Sequence, residues 1–118
     1  MQSGGYNLVK LEHQGGDTIT VSASTLTIRV GGYTTTESDF TSRITGEVVG
    51  ELATYDETTT QQLSIGQCLY IWNDGTTNHF DITMGTPGAD LPAAGSSVNI
   101  KIIDVASQQL IADLTVRG

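Results

Sequence analysis

The stretch HQGGDTI, residues 13–19, combines residue types that could do chemistry. The residues concerned are His13, Gly15, Gly16 and Asp17. They could form a metal site, a phosphate-binding loop or a tight turn between strands. These three interpretations predict different functions, so the partners of the four residues decide among them.

A metal site is the least supported of the three. Zinc needs three or four His, Cys or carboxylate ligands. The chain offers only His13, His79 and Cys68 as nitrogen and sulfur ligands, and no CxxC or HxxxH pair brings two of them close along the sequence. We therefore predict no metal ion and no other cofactor.

The phosphate-loop interpretation is equally weakly supported, because such loops gain phosphate affinity from a helix N-terminus and usually from a nearby lysine. Here the glycines lead into a strand-like pattern. As a turn, by contrast, every residue is explained: Gly15 and Gly16 permit positive φ, and Asp17 can bond back to nearby amides. The sequence predicts that His13, Gly15, Gly16 and Asp17 form a structural turn.

The remaining polar candidates do not form a catalytic motif. Two carboxylate pairs, Glu37 with Asp39 and Asp56 with Glu57, lie in predicted loops, where acidic residues are usually solvated. The stretch NDGTTN at residues 73–78 lacks the spacing and the late glutamate of a calcium loop, and is better interpreted as a hairpin turn. No GxSxG nucleophile motif occurs. We predict no catalytic residue and no enzymatic activity.

Two aromatic side chains could contact a glycan. Tyr70 and Trp72 share one face of a predicted strand with Cys68, which would suit a sugar-stacking platform. The alternative is that Trp72 fills the protein core, which is the commoner place for the one tryptophan of a β-sandwich. We favour the core for Trp72 and keep glycan contact as the alternative.

Composition limits the class of protein. The chain has 118 residues, enough for one domain, and we assign residues 1–118 to one. Thirteen acidic residues against five basic ones give a net charge of −8. Such a surface repels phosphate backbones, so nucleic acid is not expected as a partner.

Apolar residues alternate with polar ones in several segments, which indicates strands rather than helices. In TLTIRV, residues 25–30, the apolar side chains fall on one face, and the last quarter predicts a hairpin with Leu110, Ala112, Leu114 and Val116 on one face. YNLVKLEH, QLSIGQCLYIWND and HFDITM predict further strands, and RITGEVV and ELATYDE weaker ones. We predict an all-β, immunoglobulin-like antiparallel β-sandwich of seven or eight strands, with loops at residues 34–42, 56–62 and 85–97.

The order of these pieces resembles the soluble part of archaeal type IV pilin-like proteins. In that family a strand carrying His-x-Gly-Gly-Asp is followed by an alternating strand, a Leu-x-x-Gly segment and a closing hairpin. Here the matching segments are HQGGD at residues 13–17, LSIG at residues 63–66 and the final GSSVNIKIIDVASQQLIADLTV. The likeness covers most of the chain, although residues 34–60 match no part of it.

The resemblance implies a non-catalytic, extracellular domain at the cell surface that acts in filament assembly, adhesion or surface attachment. Its partners would be other pilin-like subunits or a surface-layer protein, and its contact residues would lie in the three loops. In the family a hydrophobic helix precedes the domain, so contact with the membrane is expected only through such a helix, which is absent from the sequence beginning MQSGGY. The alternatives are a membrane-anchored stator-like protein that binds the surface layer, and a carbohydrate-binding module that uses Tyr70 and Trp72.

Overall fold

A computed structural model describes residues 1–32, 52–92, 94–95 and 97–118, and every regular element within them is a β-strand. The all-β prediction is therefore confirmed. The strands are β1 (Gln2–Ser3), β2 (Tyr6–Asn7), β3 (Val9–Glu12), β4 (Ile19–Val21), β5 (Leu26–Gly32), β6 (Thr54–Tyr55), β7 (Gln61–Leu63), β8 (Cys68–Asn73), β9 (Asn78–Asp81), β10 (Ser97–Asp104) and β11 (Gln109–Arg117).

These eleven strands of the described part exceed the seven or eight predicted, because some segments predicted as one strand form two in the structure. QLSIGQCLYIWND forms two strands, β7 and β8, separated by a turn at Gly66, whose φ is +88°. YNLVKLEH is likewise divided into β2 and β3 at Leu8. The predicted strand RITGEVV and the loop at residues 34–42 lie outside the described residues.

The strands pair into four sheets. One has the order β11-β10-β5 and is antiparallel throughout. A second has the order β3-β8-β9-β6, in which only the short β6–β9 pair is parallel. The pairs β1-β2 and β4-β7 complete the set.

All but the β1-β2 pair contribute to one hydrophobic core. The inner face of β5 supplies Leu26, Ile28 and Val30, which are almost fully buried, as the alternation in TLTIRV predicted. The rest of the cluster comes from the other strands and from Leu91; its members are Val9, Val21, Leu63, Leu69, Ile71, Phe80, Val98, Ile100 and Ile102. Burial of apolar area on this scale is the main stabilising contribution to the fold.

The closing hairpin forms as predicted, but one residue of β11 is on the wrong face. Ile102 pairs with Ala112 and Ile103 pairs with Leu110, so Ile111 is an extra residue in a β-bulge. A bulge reverses the alternation beyond it. Leu110 therefore does not share a face with Ala112 and is 53% exposed, which corrects the prediction for that residue.

Candidate functional site

The predicted turn at residues 13–17 is built around the side chain of His13. The amide of Gly15 donates a hydrogen bond to Nδ1 of His13 at 3.3 Å, so the ring proton is on Nε2. Nε2 in turn donates to the carbonyl of Asp17 at 2.8 Å. Gly16, between these contacts, has a φ of +95°, a conformation that side chains other than glycine rarely adopt. Gly15 does not have a positive φ, which corrects the prediction for that residue.

The backbone of His13 joins this turn to the LSIG segment. The His13 amide donates to the carbonyl of Gln67 at 2.9 Å, and the Gly66 amide donates to the carbonyl of His13 at 2.8 Å. His13 is buried, and both of its ring nitrogens bond to the local backbone. The contacts among His13, Gly15, Gly16 and Asp17 thus form the turn that follows β3. The backbone of His13 joins this turn to the distant LSIG segment.

The candidate nitrogen and sulfur ligands are not brought together. Cys68 begins β8 opposite Glu12, next to His13, whereas His79 lies opposite Trp72. Cys68 and Trp72 are four residues apart on one strand, which corresponds to about 13 Å. Within the part of the chain that the structure describes, no group of three or more His, Cys, Asp or Glu residues could hold a metal ion.

Tyr70 and Trp72 lie on the face of β8 that points away from the hydrophobic core, because Leu69 and Ile71 occupy the inward positions. Trp72 is nevertheless buried, at 4% exposure, but on the opposite face of β8 from the core cluster in which we expected it. Its indole stacks on the ring of His79, with centroids 5.7 Å apart and planes 27° apart. The backbone of Gly85 closes over it, since a Cβ on Gly85 would lie only 2.0 Å from Cζ2 of Trp72. Tyr70 remains partly exposed.

Beside Trp72, the hairpin turn between β8 and β9 holds the carboxylate of Asp74 in place by hydrogen bonds. One oxygen of Asp74 accepts hydrogen bonds from the amides of Thr76 and Thr77, both at 2.8 Å. The other oxygen lies 2.6 Å from Nε2 of His79. Donation from His79 and from these amides holds the pKa of Asp74 far below its ordinary value. Residues 73–78 thus form the predicted hairpin turn.

Asp56 meets the second nitrogen of His79. Its Oδ1 lies 2.9 Å from Nδ1, off the direction of a good hydrogen bond, so the contact acts mainly through charge. Burial raises the pKa of Asp56 above its usual range despite the attraction of His79. One imidazole therefore lies between two carboxylates from segments far apart in the sequence.

Asp81 and Glu57 form a second acidic contact close by. Burial is the main cause that raises the pKa of Asp81 to about 6, and the adjacent Glu57, which accepts a hydrogen bond from the protonated acid, adds to the rise. Asp81 is 3% exposed and also accepts the amide of Ile82 at 2.7 Å.

These groups line one open depression of about 430 Å³, which we call the acid depression. Within the part of the chain that the structure describes, its lining residues are Asp56, Glu57, Trp72, Asp74, His79, Asp81, Thr83, Met84, Gly85 and Thr86, and none of these is a lysine or an arginine. Sequence reasoning noticed Asp56 and Glu57 as a loop pair but did not connect them to Asp74, His79 and Asp81. The chemistry available in the acid depression is proton uptake and release.

A second concavity of about 360 Å³ opens between β3 and β11. Leu11, Leu63, Leu114 and the bulge residue Ile111 contribute to its mainly apolar lining. His13 also lines it, at one end.

Comparison of the chain with family models, curated proteins and solved structures gives no match. No helix among the described residues is long and apolar enough to cross a membrane.

Proposed function

We propose that this chain is a non-catalytic, immunoglobulin-like β-sandwich domain presented outside the cell by an archaeal type IV pilin-like protein. In this role it acts in filament assembly, adhesion or attachment to a surface. Its partners are further pilin-like subunits or a surface-layer protein, and a hydrophobic helix ahead of the domain supplies the anchor.

The observation that carries the proposal is the contact between the two sequence motifs that first indicated the family. The turn around His13 and the bend at Gly66 are about fifty residues apart, yet their backbones bond directly to each other. Two motifs that fold against each other form one structural unit, and this favours a scaffold role for HQGGD. The sharing of one core by the two larger sheets supports the sandwich architecture.

The contact surface on this proposal is made by loops. Among the described ones, residues 56–62 are largely exposed at Thr58, Thr59 and Thr60. The segment at residues 85–97 is less available than the sequence suggested, because Leu91 is fully buried in the core. Its exposed positions, such as Thr86 and Gly88, remain candidates for contact.

Location in the source cell tests the proposal. An antibody raised against this domain should label the outside of intact cells and detect the protein in sheared filaments. Detection only in membranes, with retention of surface-layer protein on the purified domain, would support the stator-like alternative. Detection only in the cell interior would refute surface presentation.

The carbohydrate-binding alternative depends on Tyr70 and Trp72. Trp72 is covered by Gly85 and stacked on His79, so its ring offers no free face for a sugar, and Tyr70 carries most of what exposure the pair retains. If the domain is a carbohydrate-binding module, Tyr70→Ala should abolish binding on a glycan array while leaving the folded state intact. Unlabelled arrays with the wild-type protein would remove this alternative.

A further inference from the structure

The segment that follows β6 reaches the acid depression with two carboxylates. Asp56 and Glu57 belong to this segment, and they face Asp74 on the hairpin turn and His79 and Asp81 on β9. The segment also has one backbone bond to the sheet, from the amide of Asp56 to the carbonyl of Phe80 at 3.3 Å.

The carboxyl groups on the two sides of this contact repel each other when ionised. Four carboxyl groups and one imidazole line the depression, and none of its lining residues in the described part of the chain is a lysine or an arginine. Among the other titratable groups of the packed elements, Tyr55 adjoins Asp81 and Glu57, and Lys10 is two strands away from Asp81, beyond Tyr70. Proton binding therefore reduces the repulsion between the segment and the hairpin.

We propose that residues 56–60 form a proton-dependent clasp on the β8–β9 hairpin, closed in mildly acidic solution and released as the pH rises. In the closed state the His79 ring bridges Asp74 and Asp56, and the buried Asp81 carries a proton. Loss of the Asp81 proton leaves a carboxylate that repels Asp56 and Glu57 across the depression.

The direction in which pH changes the closure of the clasp follows from the environment of each carboxyl group. The pKa values of Asp81 and Asp56 are raised in the closed state, so closure is strongest below the ordinary aspartate pKa and weakens as the pH rises; the contribution of Asp81 is lost as the pH passes about 6. The pKa of Asp74 is lowered by its hydrogen bonds, so its contribution is lost only in strong acid. The clasp is thus most secure in mildly acidic solution. This inference does not depend on the proposed function.

Hydrogen exchange at single amides tests the clasp directly. After correction for intrinsic rates, protection of the Asp56 amide should fall about tenfold between pH 5 and pH 8, because pH 5 lies one unit below the Asp81 pKa of about 6 and each unit is a factor of ten in the ionisation equilibrium. The amide of Val105, which bonds to Thr25 in the other sheet at 3.0 Å, should keep its protection. An equal loss at both amides would mean global destabilisation and would overturn a local clasp.

Variants identify the groups responsible. The double change Asp56→Asn with Asp81→Asn replaces both raised carboxyl groups by neutral amides, so protection at position 56 should stay high up to pH 8. A matched control, Asp104→Asn with Asp113→Asn, alters the charge equally but affects carboxylates outside the depression, which bond to Ser107 and Asn99. The control should respond to pH like the wild type. A full pH response in the first double variant would overturn the proposal.

The single tryptophan gives an independent readout, because Trp72 stacks on His79. Quenching of its fluorescence by acrylamide should increase between pH 5 and pH 8 in the wild type and in the control, but not in Asp56→Asn with Asp81→Asn. Acrylamide is neutral, so the result reports access to the ring rather than charge. Equal access at both pH values in the wild type would contradict release of the segment.

Discussion

Gly85→Ala tests whether the segment after β9 lies flat on Trp72. A Cβ at position 85 would lie 2.0 Å from Cζ2, 2.3 Å from Cε2 and 2.8 Å from Cη2 of the indole. Carbon atoms in good contact are about 3.5–4.0 Å apart. The backbone or the ring must therefore move by about 1.5 Å to admit a single methyl group.

The free energy cost follows from what resists that movement. Gly85 has no left-handed φ, so alanine brings no backbone strain and the cost is steric. Overpacking of a well-filled site typically costs about 1–3 kcal/mol. Trp72 is 4% exposed and stacks on His79, so moving the indole also disturbs the contacts of His79 with Asp74 and Asp56. We therefore expect Gly85→Ala to lower the free energy of unfolding by an amount in the upper part of that range.

Urea unfolding followed by far-ultraviolet circular dichroism measures the effect. Gly15→Ala is the matched control, because a Cβ at Gly15 would meet nothing within 4 Å, and it should change the free energy of unfolding by less than about 0.5 kcal/mol. In a Trp72→Phe background, the smaller ring should reduce the cost of Gly85→Ala by about 1 kcal/mol or more. Equal costs for the two glycine changes, or additivity with Trp72→Phe, would refute the packing argument.

Three other changes test the turn, the acid depression and the absence of a metal. Gly16→Val should lower the free energy of unfolding by about 1–3 kcal/mol through strain at φ +95°, and a melting temperature equal to the wild type's would contradict that role. Asp81→Asn should be more stable than the wild type above pH 6, where the wild-type carboxyl ionises at a cost, and equal to it near pH 4. The shift from the ordinary value of 3.8 to about 6 sets a ceiling of about 3 kcal/mol on this difference, measured by urea titrations at each pH. Zinc or calcium at modest excess should leave the melting temperature within about a degree, and a rise of several degrees would show a bound ion.

The alternation of apolar residues was sufficient to predict the main strands. In β5 and β10 the inward positions follow from the sequence alone, because side chains two residues apart share a face and only one face is apolar. The bulge at Ile111 could not be predicted, since it depends on how β11 aligns with Ile102 and Ile103. Leu110 was misplaced for that reason alone.

The acid depression could not be predicted from the sequence, for a different reason. Asp56 and His79 are 23 residues apart, and they meet because the two-residue strand β6 pairs in parallel with β9. A strand this short has no alternation to detect, and nothing in ELATYDE indicates its partner. The raised pKa of Asp81 depends in turn on burial, which the sequence around position 81 does not indicate.

The position of Trp72 could be predicted only in part from the sequence. The run LYIWN is apolar on both faces, so its pattern shows burial on both sides of β8 without indicating which side meets the core. Ile71 takes the core, and Trp72 is buried because the chain after β9 folds over the opposite face. Glycine makes that close approach feasible twice, at Gly85 over the indole and at Gly88, where a Cβ would lie 2.5 Å from the carbonyl oxygen of Asp74. The tryptophan thus belongs to the wall of the acid depression, and its burial measures how tightly the loops around that depression are closed.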